Sequence, residues 1–405
     1  MSVKVPATMP CPILSRPPET TPVIVACCRT AIGRSHSQRG VFRDVRGDEL
    51  ATAVVAAAVS RSGVDPTTVE DLLLGATQQR GELGGNVARA VALMAGLPLS
   101  TAAATVNRLC GSGLEVLSRA AHAIIAGAEN VQVVAGVEHM HHLPMDSAVD
   151  FHPRVAARSS RGMLSMGMTA EHLAATDGIT RRQQEEYALE SHARAARAAD
   201  AGLFDDEIVT VLGHDEAGGV TEVMADQSVR RDTSLEAMCA LEPAFLPGLG
   251  TITAATSAPL SDGAAALVVM SQAEAARQGL VPLVRVVATA VVGVPPAMMG
   301  TGPVAATRKL LARTGIDLAD IDLVELNEAF AAQAIHCIAA LGFDAARVNV
   351  RGGALAIGHP LGASGVRIVT TLVHAMRDRG DRLGLATMCI GLGQGIAVLL
   401  ERMES

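Results

Sequence analysis

A thiol, an imidazole and a second thiol sit in three glycine-rich segments of this chain. Cys110 lies in VNRLCGSGLEVL, His359 in GGALAIGHPLGASG and Cys389 in ATMCIGLGQGIA. Such groups can make and break an acyl thioester and move a proton on an α-carbon. If the fold brings them together, the chain is an acyl-transferring enzyme. Cys110 precedes Gly-Ser-Gly and an amphipathic run, so it opens a predicted helix. Free N–H groups at a helix start favour a thiolate and can receive a developing oxyanion. His359 sits in Gly-His-Pro, where Pro360 fixes the neighbouring backbone and a base can lift a thiol proton. Cys389 ends a predicted strand and can act as acid or base toward carbon. Asn327, in ELNEAFAAQ, follows a buried strand. It can cap a helix or hold a water or carbonyl oxygen, and local grounds favour the cap. Read singly, Cys110 and Cys389 are also consistent with buried structural thiols, and His359 with a satisfied loop histidine.

Strand and helix alternate along the first third of the chain. Strands are predicted at 23–26, 71–74, 103–107 and 131–137, with helices at 48–60, 86–95 and from Cys110 to about Ala126. The C-terminal third repeats the plan: CGSGLEVLSRAAHAI from Cys110 matches GASGVRIVTTLVHAM from Gly362. Asp71 lies 41 positions before Ser112, and Asp322 lies 42 before Ser364. VQVVAGVEH likewise finds a partner in LGLATMCIG. Agreement in order and spacing implies two homologous α/β halves whose equivalent loops face one another. Between them, about 140–250 breaks the pattern and holds one clear helix, 181–201, with a Thr180-x-x-Gln183 start signal. The resulting division is a flexible arm at 1–21, a first half at 22–139 with 251–272, an inserted loop domain at 140–250 and a second half at 273–405. The strand returning to the first half is 261–271.

The 405 residues are 49% hydrophobic and 18% charged, enough for large cores. A net charge of −8 argues against a nucleic-acid surface. Seven cysteines at irregular spacing form no disulfide framework, which fits a reducing cytoplasm. No apolar run is long enough to span a bilayer, Asp262 interrupting the best candidate. Glu138-His139-Met140-His141-His142 fits no zinc spacing and reads as a polar strand end; no metal is expected. The pair Arg230 and Arg231 reads, on its own, as a solvated face.

These motifs resemble the thiolases over nearly the whole chain, from about Thr21. The resemblance rests on the loop around Cys110, NEAF at 327–330, GHP at 358–360 and the Cys-x-Gly loop at 389–391, with RTAIGR, GNVARA and MGTGPVAATRK beside them. VNRLCGS, GVEHMHHLPM, DFHP and CIGLGQGIA look most like the thiolase subunit of bacterial fatty-acid β-oxidation complexes. The resemblance implies a thiolase-like fold of two duplicated layered α/β/α halves and thiolytic cleavage of 3-ketoacyl-CoA through a Cys110 acyl-enzyme. In that scheme His359 is the base and Cys389 the acid. Oxyanions are held by Asn327 with His359, and by the N–H groups of Cys110 and Gly391. It implies contacts to coenzyme A from Arg230, Met166 and Ser257, with Ala329 and Phe330 near the reacting centre. Coenzyme A is then a co-substrate and no cofactor is needed. A homodimer or homotetramer and a hydratase–dehydrogenase partner are also implied. Alternatives are an acetyl-CoA C-acetyltransferase forming acetoacetyl-CoA and a non-catalytic acyl-CoA carrier. Ala258, where many members carry serine, removes one pantetheine hydrogen bond; Ser165, where short-chain biosynthetic members carry histidine, favours the degradative branch.

Overall fold

The computed structural model describes residues 15–145, 149–158 and 160–403. A single path of nine strands runs through both halves: Leu323–Leu326, Leu383–Ile390, Gln394–Arg402, Val284–Gly293, Pro22–Thr30, Ser261–Ser271, Val131–His139, Asp71–Gly75 and Ala102–Val106. The halves meet where Pro22–Thr30 pairs antiparallel with Val284–Gly293, through Val23 opposite Arg285 and Ile24 opposite Val284. Outward from that seam both halves have the same pairing sense. Two antiparallel pairings are followed by a parallel one, Val131–His139 with Asp71–Gly75 on one side and Leu383–Ile390 with Leu323–Leu326 on the other. Each half also carries a register shift at the same point of its seam strand, between Ile24 and Ala26 and between Val286 and Ala288.

The duplication seen in the sequence is therefore physical, with one residue of adjustment. Glu70 accepts hydrogen bonds from the N–H groups of Asn130 and Val131, as Asp322 does from those of Arg382 and Leu383. Glu70, not Asp71, is thus the counterpart of Asp322, and it lies 42 residues before Ser112, as Asp322 lies 42 before Ser364. An acidic side chain at this place ties down the start of the neighbouring parallel strand, which has no hairpin to register it.

Helices Ser112–Ala126 and Leu361–Arg379 form the middle layer and touch strands of both halves. From Leu361 through Met376 every residue is buried, as a helix enclosed on all sides must be. Outer helices Gly47–Ser62 and Gly302–Thr314 cover the opposite sheet faces. The two middle helices meet backbone to backbone at Gly113 and Gly365. A Cβ on Gly365 would lie 2.2 Å from Leu114 N, and one on Gly113 2.6 Å from Val366 N. Gly365→Ala is accordingly expected to cost about 3 kcal/mol, seen as a fall in thermal denaturation midpoint; an unchanged midpoint would show that the crossing can open freely.

The inserted segment holds Arg181–Asp200, whose capping box from Thr180 and Gln183 forms as the sequence predicts. It also holds helix Met166–Asp177 and the hairpin of Val211–His214 with Val220–Val223, which were not foreseen. The weak amphipathic pattern of Met166–Asp177 hid it. Glu328 fastens the segment to the second half, accepting from Tyr187 (3.1 Å), Ser191 Oγ (2.7 Å), Asn349 Nδ2 (2.7 Å) and Leu355 N (3.2 Å). Residues 1–14 of the expected arm lie outside the described residues. Its last residues are anchored: Pro18–Thr20 is a 3-10 turn, Thr21 Oγ1 donates to Arg16 O, and Arg16 donates to Val287 O. Among the described residues no helix is long and apolar enough to cross a membrane.

Candidate active site

Cys110 occupies the turn between strand Ala102–Val106 and helix Ser112–Ala126, with Gly111 as the helix N-cap. The helix therefore starts two residues later than the sequence implied. The turn is built by local side chains. Asn107 Oδ1 accepts from Leu109 N (2.8 Å), while Ser112 Oγ accepts from Arg108 N (2.9 Å) and donates to Leu109 O (2.6 Å). Leu109 is held at φ +47°, and Leu392, on the loop after Cys389, at φ +62°. Such left-handed residues cost roughly 1 kcal/mol or more each and persist where surrounding structure enforces them.

The two cysteine loops pack on each other. A Cβ on Gly111 would strike the Ile390 side chain, and one on Gly391 would press on Leu109 and Met166. The backbone N–H groups of Gly391 and of Cys110 itself bear on the Cys110 thiol and lower its pKa, and Cys110 raises the pKa of Cys389. Cys110, Gly391 and Cys389 are thus one group. Burial dominates the thiols: Cys110 is pushed up to about 11 and Cys389 well above its ordinary value. This corrects the expectation of a thiolate stabilised at rest. The two N–H donors lower the Cys110 value, but desolvation outweighs them. A resting thiol needs a base.

His359 supplies one. Its Nδ1 lies 2.5 Å from Ser364 Oγ, and that hydroxyl donates to Pro360 O (3.0 Å). The Ser364 proton being used, Nδ1–H must donate, which assigns the tautomer and leaves the Nε2 lone pair as an acceptor. Asn327 Nδ2 sits 3.4 Å from that Nε2. Burial, then the nearby Arg367, pulls the His359 pKa down to about 3, so the ring is neutral near pH 7. Asn327 is not a helix cap: the following helix is Ala331–Leu341, capped at Phe330 without a side-chain bond. Its buried Oδ1 has no protein partner.

One residue that the sequence presents only as part of a polar strand end ties the loops together. Glu138, fully buried, accepts from Thr77 Oγ1 (2.7 Å), Thr77 N (3.1 Å), Gln78 N (3.1 Å) and Gly362 N (2.9 Å), while Asn107 Nδ2 donates to Thr77 O (3.0 Å). The path Asn107–Thr77–Glu138–Gly362 links the Cys110 turn to the loop after His359. Its only signal in the sequence was an acid in an otherwise apolar strand. The neighbouring histidines are engaged with each other and with the backbone. His139 Nε2 bonds Phe42 O, His139 Nδ1 accepts from His142 N, His142 Nε2 bonds Arg43 O and His142 Nδ1 meets Glu82. With Glu82 they form a close trio, yet every ring nitrogen is already bonded.

Of the residues implied for substrate contact, Met166, Ala329 and Phe330 share an apolar cluster with Cys389. Ser257 bridges to Phe330, and Ala258 N donates to Ala329 O (3.1 Å). Arg230 is not in this group: it is exposed on the inserted segment, its backbone N–H held by His192 Nδ1 (3.1 Å). Arg231 pairs with Asp200 on an exposed face.

Residues 22–273 match the thiolase N-terminal domain model and residues 280–402 the thiolase C-terminal domain model. The chain is 49% identical over 385 residues to the 3-ketoacyl-CoA thiolase of Shewanella frigidimarina (strain NCIMB 400), covering 94% of this chain and 99% of that one. It is 50% identical over 384 residues to the 3-ketoacyl-CoA thiolase of Shewanella loihica (strain ATCC BAA-1088 / PV-4), with the same coverage. Among solved structures it is similar to the Bacillus anthracis acetyl-CoA acetyltransferase (TM-score 0.86, 37% identity, 95% of this chain and 99% of that chain). It is also similar to human mitochondrial 3-ketoacyl-CoA thiolase (TM-score 0.87, 35% identity, the same coverage).

Proposed function

The chain belongs to the thiolase family, and on that premise we propose that it is a 3-ketoacyl-CoA thiolase working through a Cys110 acyl-enzyme. The observations that carry the mechanism are the packing of the Cys110 turn on the Ile390–Gly391 loop and a neutral His359 whose unprotonated Nε2 faces Asn327. His359 Nε2 takes the Cys110 proton, and the thiolate attacks the 3-keto carbon of the substrate. The bond between C2 and C3 breaks. Acetyl-CoA leaves as its enolate, which Cys389 protonates at carbon. Incoming coenzyme A gives its thiol proton to Cys389 and attacks the thioester, releasing an acyl-CoA shorter by two carbons. Cys110 regains its proton from His359.

Asn327 and His359 face one oxyanion, and the N–H groups of Cys110 and Gly391 the other. Those N–H groups already lower the Cys110 pKa, so they stand close to where the charge develops. The scheme uses coenzyme A as co-substrate and requires neither metal nor redox cofactor. Met166, Ser257, Ala329 and Phe330 line the approach of the pantetheine arm, and Arg230 meets its phosphate end from the inserted segment. A homo-oligomer, a hydratase–dehydrogenase partner and a cytoplasmic site, consistent with the unpaired cysteines, complete the reading.

Thiolysis assays across a chain-length series of 3-ketoacyl-CoA substrates test it. Turnover is expected to persist beyond the four-carbon substrate. Activity confined to that substrate would instead establish an acetyl-CoA C-acetyltransferase, the second reading, which the likeness to the bacterial acetyltransferase structure favours.

A further inference from the structure

Behind the site, one face of helix Leu361–Arg379 carries Ser364, Arg367, Thr371, His374 and Asp378 at alternating spacings of three and four. This polar stripe runs through an otherwise apolar middle layer. At its start Ser364 holds the His359 ring. Further on, Thr371 Oγ1 donates to Glu207 (3.2 Å), and Asp378 accepts from Arg351 at the partly exposed end.

Arg367 stands one turn behind Ser364 and is wholly buried. Its nearest carboxylate is Glu325, at 3.7 Å, and none of its three nitrogens hydrogen-bonds a protein acceptor. Arg29, also fully buried, is the contrast. Its guanidinium grips Asp226 at 2.7 and 2.9 Å and Glu207 at 2.7 Å. Two carboxylates cancel the charge of Arg29 at contact distance; a single carboxyl, held off and pushed up to about 8 by burial, faces Arg367. The other charged groups bearing on Arg367 are Arg29 on the first strand, and Glu207 and Asp226 on the inserted segment. Arg367 lowers the pKa of the His359 ring, second to burial.

We propose that Arg367 is a positioning residue of the reaction: its incompletely cancelled charge, one turn behind Ser364, keeps thiol and imidazole as a neutral pair until substrate arrives, with Glu325 holding the guanidinium and moderating it. A positive neighbour opposes imidazolium formation, so Cys110 keeps its proton at rest and His359 returns it readily at the end of the cycle. The inference rests on the thiolase reading, yet its test is separate from turnover.

The test is iodoacetamide alkylation of Cys110 in the resting full-length enzyme, followed by peptide mass analysis between pH 6 and 8. Arg367→Met is expected to raise the alkylation rate about tenfold, the equivalent of one pH unit in the balance between neutral and ionic pairs. Arg367→Lys restores the slow rate. The gain disappears in Arg367→Met with His359→Ala, whereas a gain from loosened packing would survive there and overturn the proposal. A wild-type rate in folded Arg367→Met, judged by near-ultraviolet circular dichroism, overturns it too. If Arg367→Met fails to fold, Glu325→Gln is compared with wild type at pH 9, because burial pushes the Glu325 carboxyl up to about 8 and it opposes the Arg367 charge fully only above that value: removing it there slows alkylation, and no slowing rejects the idea. Failure of the thiolase reading looks different, as an absence of acyl label on Cys110 in the wild type.

Discussion

Cys110→Ala is expected to lose thiolysis by about 10⁴-fold or more, since a nucleophile removed from a covalent mechanism leaves only binding and oxyanion stabilisation. The wild-type enzyme, incubated with acetyl-CoA labelled in its acetyl group and then denatured, should retain label on the peptide containing Cys110. The variant should retain none. The fold should survive, because Cys110 is only partly buried and its turn is held by Asn107 and Ser112 rather than by the sulfur. No label on the wild type would reject a covalent acyl-enzyme and revive the carrier reading.

Cys389→Ala separates the two half-reactions. Carbon–carbon cleavage requires protonation of the leaving enolate, so thiolysis should fall roughly 10³-fold, within the range of general acid–base catalysis. Acyl transfer from a saturated acyl-CoA to Cys110 creates no carbanion; there Cys389 returns a proton only to the coenzyme A thiolate, a stable anion that can leave unprotonated. Labelling of Cys110 by acetyl-CoA should therefore stay within an order of magnitude of wild type. The side chain is buried in an apolar cluster with Phe330 and Met299, and alanine leaves only a small cavity there. Equal losses in labelling and thiolysis would show that Cys389 serves the geometry of the site and not the enolate.

The fold was legible because duplication leaves its mark in spacing. The order of strands and helices around Cys110 and around His359, the return strand Ser261–Ser271 and the Thr180–Gln183 cap all follow from local pattern. The match of acidic residues was off by one because two adjacent acids, Glu70 and Asp71, precede the strand, and only the hydrogen bonds to Asn130 and Val131 distinguish them. The types of the reacting side chains were also legible. Their protonation was not: desolvation of Cys110 depends on how tightly its turn packs against the Ile390–Gly391 loop, which no helix-start rule contains. Asn327 misled for a related reason. Its segment reads as a helix start, but the strand continues into an extended stretch, and the helix begins only at Ala331. Glu138 was hidden because its partners, Thr77, Gln78 and Gly362, are distant in sequence and mostly offer backbone N–H groups, which every residue possesses.

The contact of Gly113 with Gly365 sets the tolerance of the whole device. Cys110 lies three residues from one glycine and His359 six from the other, so the backbone of both lies within roughly 13 Å of this pivot along the chain. Rocking of one half against the other by about 3° would displace them by only ~0.7 Å at that lever arm. The far edges of the sheet, at Ala102–Val106 and Leu323–Leu326, would sweep much further for the same rotation. A bulkier residue at this crossing would accordingly be felt first by the Cys110 turn and the His359 loop.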